Sequence, residues 1–222
     1  MLKKVAMILS GCGGFDGSEV QESVCSILAI EQAGFLWEGF SLDENQRVVK
    51  SSFTSKPVDQ TRNMLSESSR ITHGNIKPID QLEDKEFDVL WFPGGLGVVT
   101  SFSDIARKKD KASIHPQVDE LIKTFHAEKK PIVGVCIAGA LFAVSLKGQN
   151  LTITLGNTND YDSSLQGAKH QHVKANSDEF VFDEKNNIYT TPAYMNQDAS
   201  CSKVFDGCKA IANQLMSVYK KG

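Results

Sequence analysis

Short apolar runs alternate along the chain with stretches in which apolar residues return every three or four positions. Residues 5–9, 35–42 and 87–92 and Ile132–Val135 are short and apolar enough to predict strands, the first apolar throughout, as in a strand buried on both faces. Between them lie helical patterns. Ser18 is a candidate N-cap, with Glu19 and Glu22 in the first turn, an apolar face of Val20, Val24, Ile27, Leu28 and Ile30, and Gly34 closing the helix. Pro116–Ala127 sets Val118, Leu121, Ile122 and Phe125 on one face. Residues 198–219 read as a long helix with Val204, Ile211, Leu215 and Val218 inward. Weaker signals predict an edge strand over 47–53, a short helix over 59–69 after Pro57, a short strand over 151–155 and a helical turn near 160–166. Residues 180–182 and Ile188–Thr191 straddle Asp183-Glu-Lys-Asn-Asn187, a hairpin signature.

Strands alternating with helices imply an α/β fold: a doubly wound, mostly parallel sheet with helices on both faces and a small antiparallel hairpin. No repeat or linker stands out, so residues 1–222 are expected to form one domain. In such a sheet ligands sit beyond the carboxyl ends of the strands, where the strand order reverses. Three segments fall there: the glycine-rich loop 10–18, the Pro93-Gly94-Gly95-Leu96-Gly97 turn, and the turn that opens at Cys136.

A formal net charge of −3 with no long basic run argues against a nucleic-acid partner. The longest candidate for a signal or membrane segment, residues 5–10, is only a strand's length, so no membrane association is expected. The five cysteines, Cys12, Cys25, Cys136, Cys201 and Cys208, are odd in number and without a CxxC pair. That suits a reducing cytoplasm better than a disulfide scaffold or a zinc site, and no metal is expected.

Cys136 follows a β-branched strand and precedes good helix formers, so its sulfur faces helix N–H groups and the positive end of the dipole, which favour thiolate. Gly94 and Gly95 leave backbone N–H groups open to a ligand, and the N–H of Gly95 with that of Ile137 could form an oxyanion hole beside the sulfur. Glu22, or Glu19 one turn earlier, could lean toward the strand ends. A carboxyl group packed against a thiol would have its pKa raised and could serve as acid and base. His170 and His172 alternate in a predicted strand as surface or rim residues, and no further ligands lie near them for a metal. Arg62 and Arg70 could bind an anion or form salt bridges. Cys12, in the glycine loop near the expected pocket, is a candidate resolving thiol or a packed one.

The strand, Pro-Gly-Gly, strand, Gly-x-Cys-x-x-Gly and helix succession resembles the PfpI superfamily, with its flavodoxin-like, class I glutamine-amidotransferase-like fold. Ser10-Gly-Cys-Gly13, Asp16-Gly-Ser-Glu19, Thr61-Arg-Asn63, Arg70-Ile-Thr72, Val135-Cys-Ile-Ala138 and Thr190-Thr-Pro-Ala-Tyr-Met195 resemble its ElbB-like branch, described as isoprenoid-biosynthesis-associated glyoxalases. The resemblance implies Cys136 as nucleophile, Glu22 as its acidic partner, Gly95 and Ile137 as backbone donors, and a homodimer. It further implies a cytoplasmic, cofactor-independent lyase of the glyoxalase III type acting on a small carbonyl substrate. The low-pKa thiol expected at Cys136 leaves a second reading, a cysteine-based redox or carbonyl-stress sensor or chaperone with little turnover. Two positions depart from the pattern. Ile137 stands where protease- or amidase-like members have His, and Gly139 stands in the Pro slot of Cys-Ile-Ala-Pro. The first weakens a Cys-His hydrolase reading, since no adjacent imidazole can activate the thiol or protonate a leaving amine. Class I amidotransferase hydrolysis also needs a downstream His-x-Glu, where this chain has Thr191-Pro-Ala-Tyr194.

Overall fold

Seven strands form the central sheet of the computed structural model, which describes residues 2–158 and 170–221. The helical turn expected at 160–166 lies outside the described residues. In chain order the sheet strands are β1 (Lys4–Ile8), β2 (Leu36–Ser41), β3 (Ile76–Pro78), β4 (Val89–Phe92), β5 (Ile132–Val135), β8 (Val181–Asp183) and β9 (Ile188–Thr191). Their spatial order is β3-β2-β1-β4-β5-β9-β8, parallel except for the β8–β9 hairpin. A separate parallel pair joins β6 (Thr152–Ile153) to β7 (Gln171–His172). This is the mostly parallel, doubly wound sheet expected of the flavodoxin-like, class I amidotransferase-like fold.

Alternate residues of each strand enter different cores, as the pleat requires. Val5, Met7, Val89, Trp91 and Val133 join one core with α1 (Val20–Ala33) and the last helix, α7 (Cys201–Lys221). Ala6, Ile8, Leu90, Phe92 and Ile132 join the other with the short α3 (Gly97–Thr100) and α4 (Ile105–Lys108), α5 (Pro116–Ala127) and α6 (Gly139–Ser145). The chain moves outward from β1 to β2 and β3, then returns to lay β4 on the other side of β1. The strand order therefore reverses between β1 and β4, and the loops leaving their carboxyl ends diverge there.

Several expectations need correction. No strand forms over 47–53. Lys50 N donates to Asp16 Oδ2 at 2.8 Å and Gln46 N to Arg62 O at 2.8 Å, so this stretch is held against the glycine loop instead of in a ladder. The strand at the edge beside β2 is β3 instead. The helix expected over 59–69 is α2 (Met64–Thr72), started by Asn63, whose side chain accepts from Ser66 N at 2.9 Å. Ser18 is not the cap of α1; its hydroxyl accepts from Ser10 N at 2.8 Å, and Glu19 caps the helix by accepting from Glu22 N at 2.7 Å.

The buried face of α1 is also not the apolar one expected. Glu22, Ser23, Cys25, Ser26, Ala29 and Ile30 point inward, while Val20, Val24 and Leu28 are exposed. Small side chains let α1 lie close to α7, and the buried hydroxyls have partners: Ser23 Oγ donates to Glu19 O at 2.7 Å, and Ser26 Oγ accepts from Trp91 Nε1 at 3.0 Å. On α7, Val204, Ile211 and Leu215 are buried as expected, but Val218 is exposed.

Candidate functional site

Cys136 closes β5 and opens a single 3₁₀ turn, Cys136–Ala138, that runs into α6. Its φ is +60°, a left-handed conformation that side-chain-bearing residues adopt at a penalty of about 1–3 kcal/mol. The strain turns the side chain out of the strand direction while the preceding strand and following helix hold the backbone. The thiol is 8% exposed.

Two glycines allow the surrounding loops to close on it. A Cβ on Gly94 would stand 2.5 Å from both the Cys136 Cβ and Glu22 Oε2, so only glycine admits carboxyl and thiol side by side. Gly95 has φ +101°, and a Cβ there would run into the backbone of Gly17 and Glu19. Glu19 N donates to Gly94 O at 2.9 Å, Leu96 N to Gly14 O at 2.9 Å and Gly97 N to Gly17 O at 3.0 Å, fastening the loop after β1 to the turn after β4. That fastening sets the start of α1, and with it Glu22, over the sulfur.

Glu22 is wholly buried. Its Oε1 accepts from Tyr194 N at 3.3 Å, while its Oε2, over Gly94, has no partner of hydrogen-bonding geometry. Burial, then the Glu19 charge, push its pKa up to about 8, against the pull of the Cys136 side chain and the backbone N–H groups of Tyr194 and Gly94. The Cys136 thiol is pushed well above its usual range, first by burial and then by Glu22; the N–H groups of Ile137 and Gly95 pull the other way. The helix end therefore does not make a free thiolate, as expected from the local sequence. Desolvation and a neighbouring carboxylate outweigh two peptide donors. At neutral pH the thiol and most of the carboxyl each keep a proton, and the carboxyl is the first of the two to release it.

The structure thus brings together Cys136, Glu22, Gly94, Gly95 and Ile137, with Glu19 as the cap behind Glu22. It adds a residue that the sequence reading left without a role. Ala193, at φ +47°, makes a second left-handed turn that aims the N–H of Tyr194 at Glu22, and the Tyr194 hydroxyl donates to Gln21 Oε1. The only sequence signal was Thr191-Pro-Ala-Tyr194 itself, lying where an amidotransferase would carry its imidazole. Here that position supplies a peptide N–H.

Cys12 lies elsewhere. With Gln60, Thr61, Arg62, Glu67 and Arg70 it lines an open groove of about 590 Å³ that includes none of the Cys136 residues. Both arginines are paired, Arg62 Nη1 with Asp16 Oδ2 at 3.3 Å and Arg70 Nε with Glu67 Oε2 at 3.2 Å. His170 is not a rim residue. It is buried, Nδ1 accepting from Leu151 N at 2.9 Å and Nε2 lying 2.8 Å from Ala143 O, which assigns the proton to Nε2. His172 lies in β7, half-buried. Among the described residues no cluster of three His, Cys, Asp or Glu could hold a metal ion, and no helix is long and apolar enough to cross a membrane.

No family model matches the chain. It is, however, 32% identical over 228 residues to the ES1 protein homolog, mitochondrial, of Rattus norvegicus, covering 98% of this chain and 85% of the relative. The chain belongs to the ES1 family. The human relative, 30% identical over 98% of this chain and 84% of its own, is the glutamine amidotransferase-like class 1 domain-containing protein 3, mitochondrial. Among solved structures, an isoprenoid biosynthesis protein with an amidotransferase-like domain from Ehrlichia chaffeensis superposes with a TM-score of 0.90 at 31% identity, covering 98% of this chain and 99% of that one. Drosophila melanogaster DJ-1beta, at 18% identity and a TM-score of 0.62 over 97% of this chain and 91% of its own, shares the fold. The chain thus groups with amidotransferase-like proteins, and its likeness to DJ-1beta is one of fold. The cytoplasmic expectation does not stand, because the curated ES1 relatives from rat, human and Danio rerio are all named mitochondrial proteins.

Proposed function

We propose that this ES1-family protein is a glutathione-independent glyoxalase-like enzyme that converts glyoxal or methylglyoxal to the hydroxy acid. The observation that carries the reading is the Cys136–Glu22 pair: a thiol on a strained turn against a buried carboxyl whose pKa is near 8. A carboxyl tuned to that value is available in both forms near neutral pH, as an acid–base relay needs. As the Cys136 sulfur adds to the aldehyde carbon, Glu22 takes the thiol proton, and the N–H groups of Gly95 and Ile137 stabilise the developing oxyanion. Glu22 returns its proton to that oxygen, giving a hemithioacetal. The carboxylate then removes the proton from the former aldehyde carbon, giving an enediolate; the hydroxyl proton on that carbon's oxygen passes to the neighbouring oxygen, and Glu22 delivers its proton to the neighbouring carbon, leaving a thioester beside a hydroxyl group. Water hydrolyses the thioester to glycolate or lactate and frees the thiol. No amine leaves in this sequence, so Ile137 in place of His is no obstacle.

The test is to incubate the purified protein with glyoxal and follow glycolate. Turnover lost in both Cys136→Ala and Glu22→Gln supports the reading, and turnover unchanged in Cys136→Ala overturns it.

A second reading has its own observation. Glu22 Oε2 has no partner and lies over the Cys136 side chain, where a protonated carboxyl could donate to an oxygen added to the sulfur. Such a protein would sense oxidants or carbonyls and turn over little. Selective, stoichiometric oxidation of Cys136 by mild peroxide together with negligible glyoxal turnover favours this reading.

We further propose a homodimer, as the family resemblance implies. The exposed row of Val20, Val24 and Leu28 on α1 is a surface suited to it.

A further inference from the structure

A second pair of sulfurs lies away from Cys136, across the contact between α1 and α7. Cys25 sits on the inner face of α1, and Cys201 is the first residue of α7. Their Sγ atoms are 3.7 Å apart although the residues are 176 positions apart in sequence, and the Cys25 thiol also lies 3.7 Å from the Cys201 carbonyl oxygen. A disulfide needs its sulfurs at about 2.05 Å, so closure requires less than 2 Å of relative movement, within the reach of side-chain rotation. The two differ in access: Cys25 is buried and Cys201 is exposed. Cys208, the other thiol nearby, is buried with its Sγ 3.6 Å from Ser26 Oγ.

We propose that Cys25 and Cys201 are a peroxide-oxidisable dithiol that closes to an intrachain disulfide, pinning α1 to the start of α7. The exposed Cys201 sulfur attacks the peroxide; its S–O bond forms as the O–O bond breaks, giving a sulfenic acid and one water. The Cys25 sulfur then displaces the hydroxyl from Cys201. The S–O bond breaks, the S–S bond forms, and the departing hydroxide leaves with the Cys25 proton as a second water. Both sulfurs are oxidised and the peroxide is reduced, so the step balances with peroxide as sole co-reactant.

The division of labour follows from the surroundings. Burial, reinforced by the Cys201 contact, pushes the Cys25 thiol up to about 12, so Cys25 stays protonated and waits as the resolving thiol. Closure would fix α1 one turn beyond Glu22, on the same inward face. The inference does not depend on the glyoxalase reading, since neither sulfur belongs to that site.

The experiment uses a Cys136→Ala background, which removes the other oxidisable site and leaves four thiols. After treatment with hydrogen peroxide under mild conditions, a thiol titration in denaturant is expected to lose two of the four. Peptide mapping without reductant should recover the Cys25 and Cys201 peptides joined within one chain, and dithiothreitol should restore both thiols. With Cys201→Ser added, an exposed and mild change, none of the remaining three thiols should be lost. With Cys25→Ser added instead, Cys201 should accumulate as a sulfenic acid that dimedone labels. The proposal is overturned if Cys201 links between two copies of the chain, or if it passes to sulfinic acid while Cys25 stays free.

Discussion

The N–H of Tyr194 donates to Glu22 Oε1 at 3.3 Å, joining two residues 172 positions apart. That bond is one of few that Glu22 has, and it is not enough to offset burial, so the carboxyl carries a pKa of about 8. The sign of the consequence is fixed by linkage. From its ordinary value of 4.5 up to about 8, the unfolded chain has released the Glu22 proton and the folded protein still holds it. Stability therefore falls as pH rises through that window and levels off above it, by an amount on the order of a few kcal/mol. Glu22→Gln removes the titration, so its denaturation midpoint should fall less steeply over the same window and exceed that of the parent at its alkaline end. A Gln variant with the parent's slope would show that Glu22 is ionised in the fold at neutral pH.

Gly94→Ala tests the close approach of thiol and carboxyl. A Cβ 2.5 Å from both Cys136 Cβ and Glu22 Oε2 and 2.8 Å from Val135 O cannot be absorbed by a flexible side chain alone. The expected destabilisation is about 1–3 kcal/mol, with the Cys136–Glu22 contact opened. Thermal unfolding reads the first, and a changed rate of Cys136 alkylation by iodoacetamide reads the second. If neither moves, the loops are looser than described.

Much of this site was legible because it is made of residues whose type carries the signal. Cys136 at a strand-to-helix junction, a Pro-Gly-Gly turn after a buried strand and a carboxylate in the first turn of a helix can each be read from the chain. Pro116–Ala127 was equally readable, since its apolar spacing is the helical period and its buried face is apolar. The α1 face was not: Ser26 meets Trp91, Glu22 meets Tyr194 and the Cys136 site, and Ser23 turns its hydroxyl back on Glu19 O, so polar residues lie inside where no local pattern announces it. β3 is three residues long and contains Lys77 and Pro78, so only its place beside β2 makes it a strand. Tyr194 acts through a peptide N–H aimed by the φ of Ala193, and a backbone donor has no residue-type signature.

The left-handed turn at Cys136 gives a measurement independent of its chemistry. Glycine adopts φ +60° without the Cβ penalty, whereas alanine retains it. Cys136→Gly is therefore expected to be at least as stable as Cys136→Ala, with an advantage of about 1 kcal/mol set against the flexibility glycine adds to the unfolded chain. Both variants lose the same sulfur, so the comparison isolates the backbone. Urea denaturation of the pair decides it, and a clear advantage for alanine would mean that the turn relaxes once the thiol is gone.

His170 should behave as a structural residue. Burial lowers its pKa from 6.5, so below that value the unfolded chain gains a proton that the folded protein resists, and stability is lost as pH falls. His170→Ala leaves the Leu151 N–H and the Ala143 carbonyl without this partner, a change of about 2 kcal/mol or more. The variant should be less stable at neutral pH but less sensitive to mild acid, with Cys136 reactivity unchanged in the protein that remains folded. Loss of Cys136 reactivity in a well-folded variant would instead tie this histidine to the site.

The α1 row bears on assembly. Val24 is 49% exposed and Leu28 43%, one turn apart on the side of the helix away from the sheet, while the inward face of the same helix carries Glu22. A charge placed on the row leaves the monomer's core untouched but would be desolvated if a second copy covers it, which is unfavourable by several kcal/mol for an unpaired carboxylate. Val24→Glu should therefore shift a dimer toward monomer in sedimentation velocity, with thermal unfolding of the separated chain close to that of the parent protomer. A parent that sediments as a monomer, or a variant that stays dimeric, would exclude this face as the contact. If the row is covered, then α1 is held from one side by α7 and from the other by the partner, and the position of Glu22 over Cys136 depends on assembly as well as on the fold.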